Sequence, residues 1–333
     1  MYMKRVTIKD IANYLNINPS TVSRALNNHI DVSAKLKEQV TLLANKLGYK
    51  PNYAAINLRK GKSKTVGLII PEISTYFTPS VIKAVENITH DMGYNLLILQ
   101  SNDKVEREIQ NVEICAQLGI EGILISLTKE SVDLEHFSEL IHFDTKIVFF
   151  DKTLHENYWN KVTIPDYKAT CDAVHFLTQI NKSKNIAGIF GDERLAITQD
   201  RLRAFNETLF ELNYKINTQK IKFASDALEA ETAFIKLWTG SSKPQLLFIM
   251  SDEILEGVAK AIYKLKINVP NDIKIVALSD GYLPNILSFK IPYVLTSGYN
   301  VGFKAATMLF DLINGKELAE KSQFVETPLI TNY

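Results

Sequence analysis

The stretch TIKDIANYLNINPSTVSRALN, at residues 7–27, predicts two short helices joined by a tight turn. Thr7 and Asp10 have the spacing of a capping box, in which two side chains satisfy free N–H groups at a helix start, with Asp in place of the usual Glu. Asn18 followed by Pro19 is typical of a second helix start, because proline at the first helical position lacks an N–H that would be unpaired there anyway. These signals predict a helix-turn-helix.

The second of these helices has an outer face suited to duplex DNA. Its apolar residues Val22 and Ala25 fall on one side, which leaves small polar residues and Arg24 on the other. A helix that enters the major groove needs side chains that reach base edges. A third helix between Ser33 and Gly48 would complete a three-helix unit. The alternative is a helical hairpin of an ordinary bundle with a solvated basic surface.

The charge distribution favours a polyanionic partner for this unit. Residues 1–64 contain twelve Lys and Arg against three acids, a net charge of +9, although the whole chain carries only +1. Residues 65–333 therefore carry −8. Local basicity beside a helix-turn-helix indicates nucleic acid. We expect the acidic remainder of the chain to stay away from DNA.

The segment PNYAAINLRKGKS, at residues 51–63, predicts a conditional helix. Asn52 can cap a helix that Gly61 ends, and a helix of about two turns is too short to be stable alone in water. Such a helix would fold only against a partner, where Leu58 could insert between base steps from the minor groove. The alternative is a linker with a solvated charge run.

Apolar strands alternate with amphipathic helices through the rest of the chain. Short, nearly continuous apolar runs are typical of parallel strands that are covered on both faces. The alternation predicts two doubly wound α/β lobes with parallel sheets. The predicted strands are residues 66–70, 96–99, 123–126 and 147–150 in one series and 186–190, 246–250 and 273–278 in the other.

Polar residues follow several of these strands, where open α/β sheets bind their ligands. Carboxylates and an arginine among aromatic side chains suit a small polyhydroxylated ligand, because each hydroxyl both donates and accepts a hydrogen bond. For any single residue, helix capping or a surface ion pair is the alternative, as for Asp252 before a predicted helix. The predicted effector-binding residues are Tyr76, Phe77, Ser126, Asp151, Arg201, Asp252 and Asp280.

The motifs VTIKDIA, STVSRALN, LGYKPN and A-x-x-L-R-x-G resemble the lactose/galactose repressor (LacI/GalR) family. The resemblance implies an N-terminal all-α helix-turn-helix head piece (1–50), a hinge helix and linker (51–64), and an α/β periplasmic-binding-protein-like core (65–333) that binds effector and dimerises. It also implies three passages of the chain between the lobes, near 162–165, 291–295 and 321–325. The N-lobe would then hold about 65–162 and 294–322, and the C-lobe about 163–291 and 323–333.

The resemblance assigns roles to particular residues. Pro19, Ser20 and Arg24 match base-reading positions. Arg201 lies in R-x-x-A-F, where the family usually has R-x-x-G-F, and the family's Asp-Asp pair becomes Ser279-Asp280, so one acid that commonly holds sugar hydroxyls is missing. The remaining DNA-binding assignments are Thr7, Asn18, Thr21, Ser23 and Asn27 at backbone-contacting or framing positions, and Asn52, Ala55, Ile56 and Leu58 in the hinge.

Other sequence features argue against catalysis, export and membrane insertion. The chain contains no H-E-x-x-H, phosphate-loop or G-x-S-x-G motif, no signal-peptide core, and no apolar run near the ~18–20 residues of a membrane helix. We expect no cofactor, no metal and no enzymatic activity, and we expect His136 and His142 on the solvated surface. The two cysteines are expected to be free thiols.

These observations predict a cytoplasmic, sequence-specific transcription regulator, a repressor by resemblance. A homodimer would bind a pseudo-palindromic double-stranded DNA operator, and a carbohydrate-like effector between the lobes would alter the hinge segments. Two alternatives use the same lobes. One is a small-molecule binding protein without a DNA role, and the other is a sugar- or nucleotide-modifying enzyme.

Overall fold

The computed structural model describes residues 6–49, 63–73, 76–153 and 159–331. The chain forms two compact units, Met1–Ser63 and Lys64–Tyr333. The predicted boundaries at residues 50 and 64 stay predictions, because residues 50–62 lie outside the described part of the chain.

The N-terminal unit contains the predicted helices α1 (Ile8–Leu15), α2 (Pro19–Leu26) and α3 (Ala34–Lys46). The capping box is confirmed, since the Thr7 side chain accepts from the Asp10 N–H and the Asp10 carboxylate accepts from the Thr7 N–H at 2.8 Å. Asn18 occupies the N-cap position of α2 but makes no side-chain capping bond. Ile11, Val22 and Val40 are fully buried together, so one small core holds the three helices.

The C-terminal unit contains two six-stranded sheets, which confirms the predicted pair of α/β lobes. The first sheet has the order β11-β5-β4-β3-β1-β2, where β1 is Thr65–Ile70, β2 Asn95–Gln100, β3 Gly122–Ile125, β4 Lys146–Phe150, β5 Lys161–Thr163 and β11 Ser322–Phe324. The second has the order β12-β10-β9-β8-β6-β7, where β6 is Ile186–Phe190, β7 Ile221–Phe223, β8 Leu246–Ile249, β9 Lys274–Ser279, β10 Tyr293–Leu295 and β12 Leu329–Ile330. Among the strands of the described residues, every pairing is parallel except that of β10 with β12.

Helices cover both faces of the two sheets. From β1, Leu68 enters a cluster with Val81 and Val301, whereas Ile69 enters the opposite cluster with Val112. The covering helices are α4 (Phe77–Asp91), α5 (Val105–Gln117), α6 (Ser138–His142), α7 (Asp166–Ile180), α8 (Ala196–Glu211), α9 (Ala227–Thr239), α10 (Asp252–Leu265), α11 (Tyr282–Ile286) and α12 (Gly298–Ile313), with short 3₁₀ turns at Glu135–Phe137 and Thr218–Lys220.

The prediction that every strand is covered on both faces is wrong for β2. Ile98 is exposed and its neighbours Leu97 and Leu99 are half-buried. The physical reason is that β2 lies at the outer edge of its sheet, beside β1. The apolar run therefore indicated a strand but not its place in the sheet.

The predicted lobe limits are a few residues too early. β10 belongs to the second sheet although the predicted N-lobe resumes at 294, and β11 belongs to the first although the predicted C-lobe resumes at 323. The reason is that β10 and β11 each pair along their whole length with a strand of the sheet they belong to, so the chain leaves the sheet only after the strand ends. The chain passes between the sheets at residues 164–165, 296–297 and 325–328.

Gly257 marks a close helix crossing in the second lobe. A Cβ at this position of α10 would lie 2.0 Å from the Ala227 carbonyl oxygen and 2.8 Å from the Ala230 Cβ of α9. We expect Gly257→Ala to lower the free energy of unfolding by about 2 kcal/mol, because backbone atoms cannot move aside as a flexible side chain does. Urea denaturation measures the change. Gly240→Ala is the matched control, since its added Cβ meets nothing closer than 3.4 Å, and an equal loss in both variants would contradict the close crossing.

Candidate functional site

The outer face of α2 is open to solvent in the N-terminal unit. Pro19, Ser20 and Arg24 are exposed, whereas Thr21 and Ser23 are half-buried. Arg24 forms no ion pair with any residue in the described ranges. Its guanidinium is therefore free to reach a base edge or a phosphate.

Of the other predicted DNA-binding residues, those in the three-helix unit are described by the structure and those in the hinge are not. Thr7 is engaged in its capping box, and Asn18 is exposed at the turn. The Asn27 side-chain amide donates to the Ser23 carbonyl at 2.8 Å, which fixes the end of α2. The predicted hinge residues Asn52, Ala55, Ile56 and Leu58 lie outside the described residues.

All seven predicted effector-binding residues line one cavity of about 260 Å³ between the carboxyl ends of the two sheets. Tyr76 and Phe77 follow β1, Ser126 follows β3 and Asp151 follows β4, on one side. On the other side Arg201, Asp252 and Asp280 follow β6, β8 and β9. The structure thus brings together residues up to 204 positions apart, from 76 to 280. Their contact with an effector stays a prediction.

Arg201 is held rigidly at the floor of this cavity. Its Nε and Nη2 donate to Asp166 Oδ1 at 2.8 and 2.6 Å, and its Nη1 donates to the Met250 carbonyl at 2.7 Å. Burial raises the pKa of Asp166 in spite of the opposing effect of Arg201. Arg201 consequently lines the cavity and is also the counter-charge of Asp166, whose side chain is 16% exposed.

Asp151 has an unusual backbone conformation at the end of β4. Its φ of 58° lies in the left-handed region, which non-glycine residues seldom adopt outside special sites. Ser126 Oγ donates to Asp151 Oδ2 at 3.3 Å, and burial raises the pKa of this carboxyl. Asp151 forms part of the cavity wall at the end of β4.

Asp252 is bonded to the loop after the neighbouring strand. It accepts from Ser279 Oγ and, at 2.7 Å, from the Asp280 N–H, and burial raises its pKa to about 6. The alternative interpretation of Asp252 as the helix N-cap is wrong, because Ser251 occupies that position and Asp252 is the first helical residue.

Asp280 and Tyr76 connect the two lobes across the mouth of the cavity. Asp280 accepts from Ser80 Oγ at 2.5 Å and from the Gly298 N–H at 2.6 Å, both on helices that pack on the first sheet. The Tyr76 hydroxyl donates to Glu256 Oε2 at 3.1 Å. Direct contacts therefore hold the cavity partly closed.

Sequence patterns missed several of these residues. Ser80, Glu256 and Glu253 were not among the predicted site residues, although Glu253 lines the cavity and burial raises its pKa to about 6. The one available signal was position, since Glu253 directly follows Asp252 at the start of α10. Side chains that pair across the two lobes are far apart in the sequence, so no regular spacing of residues predicts their contact.

One residue that was predicted to be on the solvated surface, His136, is instead largely covered. The His136 side chain is only 10% exposed and its Nε2 lies 3.0 Å from Oε1 of the fully buried Glu108. The expectation of a solvated His136 is wrong because the segment after β3 folds back over α5. His142 is exposed, as predicted.

Two further observations concern the described residues only. Within these ranges no three His, Cys, Asp or Glu side chains form a group that could hold a metal ion. Nor does any helix there combine the length and apolar character that a membrane span requires.

Comparisons with known proteins match both parts of the chain. Residues 7–52 match the family model of bacterial regulatory proteins of the lacI family, and residues 180–331 match a periplasmic binding protein-like domain. The chain is 28% identical over 327 residues to the HTH-type transcriptional regulator RegA of Clostridium saccharobutylicum, covering 97% of each chain. It is 27% identical over 319 residues to the Catabolite control protein A of Priestia megaterium, covering 95% of each.

A solved structure shares the fold over nearly the whole length. The Lac repressor dimer bound to operator and the anti-inducer ONPF matches with a TM-score of 0.86, at 19% identity and 98% coverage of each chain. The helix-turn-helix, the two parallel-sheet lobes and these matches agree: the chain carries a DNA-binding domain of the lacI family of bacterial regulatory proteins, followed by a periplasmic binding protein-like domain.

Proposed function

We propose that this regulator binds a pseudo-palindromic operator as a homodimer in the cytoplasm and that a small polyhydroxylated molecule in the cavity between the lobes controls the binding. The observation that carries the proposal is the convergence of seven predicted polar and aromatic residues on one cavity at the carboxyl ends of both sheets. The relatives named above are regulators, and a Lac repressor dimer is bound to operator and ligand, which supports the same arrangement here.

The contacts across the cavity mouth suggest how a ligand would act. Ser80–Asp280 and Tyr76–Glu256 join the lobes, so the lobe arrangement and the cavity are linked. A ligand that binds one arrangement more tightly shifts the population toward it, and the operator responds through the same equilibrium. The direction of the response, release or recruitment, is an outcome of the experiment below.

The same residues support a binding role rather than turnover. Asp252, Asp280 and Arg201 are each fixed by two or more hydrogen bonds to the protein, which positions them for recognition. The exposed α2 face distinguishes the chain from a transport binding protein, which has no use for a helix-turn-helix. We propose that the protein has no enzymatic activity.

A two-stage experiment tests the proposed function. Duplexes bound by the full chain are selected from a random pool, and metabolites are then screened for a change in affinity for the selected duplex. We expect a two-fold symmetric site and at least one small molecule that shifts its affinity. Uniform binding of all duplexes would refute sequence-specific recognition, and the absence of any effective metabolite would refute ligand control.

Arg24→Ala is expected to weaken discrimination among duplexes by about 1–3 kcal/mol if the guanidinium forms a bidentate contact with a base. Competition binding with the selected operator and a one-base variant measures this change. Lys46→Ala is the control, because Lys46 is an exposed cation at the end of α3. Lys46→Ala should weaken binding to all duplexes alike. An unchanged preference for the operator in Arg24→Ala would show that Arg24 does not read bases.

A further inference from the structure

The cavity between the lobes is strongly acidic. Among the described residues three cationic side chains line it, Lys129, Lys152 and Arg201, against seven carboxyl groups, which gives a formal charge of −4 when all of them are ionised. The seven carboxylates are those of Glu72, Asp103, Asp151, Asp192, Asp252, Glu253 and Asp280.

Two of the three cations already have partners. Arg201 is bound to Asp166, which lies outside the cavity wall, and Lys152 Nζ is 3.4 Å from Asp103. Lys129 extends into solvent. Arg201 is thus the buried cation of the cavity, but its ion-pair partner Asp166 lies outside the cavity wall, and five of the seven cavity carboxylates form no ion pair with any described residue.

The carboxylates of the cavity differ in the number of hydrogen bonds and ion pairs that they form with the protein. Asp192 is paired with Arg194 at 2.5 Å, and Asp252 and Asp280 each accept two hydrogen bonds. Asp151 accepts one long bond from Ser126. Glu253 has no hydrogen bond or ion pair with any residue of the described ranges.

Glu253 lies in an electrostatically crowded place. Lys152 after β4 and Glu72 after β1 line the same cavity as Glu253, while Asp252 and Glu256 are on α10 with it. Burial is the main cause that raises its pKa, and the three neighbouring carboxylates raise it further while Lys152 opposes them. A proton or a bound cation would relieve this repulsion, whereas a neutral polyol would leave it in place.

We propose that the effector carries a protonated amine, as an amino sugar does, and that Glu253 together with Asp151 neutralises it. An ammonium group only donates hydrogen bonds and an ionised carboxylate only accepts them, so the two match without competing donors. An organic cation fits better than a metal ion, because the described carboxylates and imidazoles do not converge closely enough to ligate one. This inference rests on the proposed function, since it names the ligand class of the same cavity.

The proposal predicts in which direction the affinity for the ligand changes with pH. Glu253 is partly protonated near pH 6, and a cation binds its ionised form. Between pH 5 and pH 7, where the amine stays protonated, the affinity for an amino sugar is therefore expected to rise about 10-fold relative to that for its neutral partner.

Isothermal titration calorimetry on the full chain tests the proposal with matched probes: D-glucose, D-galactose and D-mannose against their 2-amino-2-deoxy counterparts. At pH 7 we expect at least one amino sugar to bind 10-fold or more tightly than its neutral partner. Glu253→Gln should remove both this preference and the difference in pH slope between each amino sugar and its neutral partner, whereas Asp252, whose pKa burial also raises to about 6, titrates in the background of both. Glu113→Gln, on the exposed face of α5, is the control and should change neither.

Two results would overturn the inference: neutral sugars binding as tightly as the amino sugars in every pair, or no amino sugar binding at all. In both cases the proposed function is judged separately by the metabolite screen, because a neutral metabolite that shifts operator affinity would uphold ligand control while excluding the amine. An amino sugar preference that survives Glu253→Gln would also contradict the assignment to Glu253.

Discussion

Arg201→Ala is expected to lower the free energy of unfolding by about 3–5 kcal/mol and to abolish the response to ligand. The alanine removes the counter-charge of Asp166, which is bonded to two guanidinium nitrogens, and a buried charge without its partner is strongly destabilising. It also removes a side chain that is only 7% exposed and lines the cavity, so a void forms where a ligand would contact the floor. Urea denaturation and ligand titration measure the two effects.

A double variant separates stability from ligand response. In Arg201→Met with Asp166→Asn the buried charge is gone, so we expect most of the stability to return. The response to ligand should stay lost, because methionine cannot donate a hydrogen bond to the cavity. A double variant that responds at the wild-type ligand concentration would remove Arg201 from the effector site, and full stability of Arg201→Ala alone would contradict the role of the ion pair.

Glu108→Ala is expected to lower the free energy of unfolding by about 3–5 kcal/mol, although no sequence pattern singled this residue out. Its fully buried carboxylate accepts from the Thr128 N–H at 2.8 Å and from Ser131 Oγ at 2.7 Å, and lies 3.0 Å from His136 Nε2. Hydrogen bonds to a charged group are individually strong, and the alanine leaves buried donors without an acceptor.

Thermal unfolding of Glu108→Ala measures the global loss of stability, and hydrogen exchange adds a local measurement. The amide protons of residues 127–131 should exchange faster, because Glu108 fastens that segment to α5. Glu113→Ala on the same helix is the control, since Glu113 is exposed. Equal stability of the two variants would show that the cluster around Glu108 contributes nothing measurable.

Local signals in the sequence predicted the N-terminal unit well. The capping box at Thr7, the proline start at Pro19 and the start of α3 at Ser33 were all recognisable, because a helix cap depends on residues within three or four positions of each other. Apolar runs predicted the parallel strands for a similar reason, since burial on both faces leaves a continuous apolar stretch.

The site was only partly predictable. The residues after β1, β3, β4, β8 and β9 could be chosen because the carboxyl ends of parallel strands meet at one edge. Glu253 and the Ser80–Asp280 and Tyr76–Glu256 contacts were missed. Ser80 and Asp280 are 200 positions apart, and Tyr76 and Glu256 are 180 positions apart. Packing decides which helices face each other across the cavity.

The amino-acid sequence by itself determined the helix-turn-helix, the two α/β lobes and the choice of strand ends as a ligand site, because each depends on short-range periodicity, capping or charge. The tertiary structure decided which strand lies at the sheet edge, that His136 packs against the buried Glu108, and that Glu253 lines an acidic cavity without an ion-pair partner among the described residues. Those features depend on the order of strands and on contacts between distant segments, where packing and desolvation, rather than local preference, set the environment of each side chain.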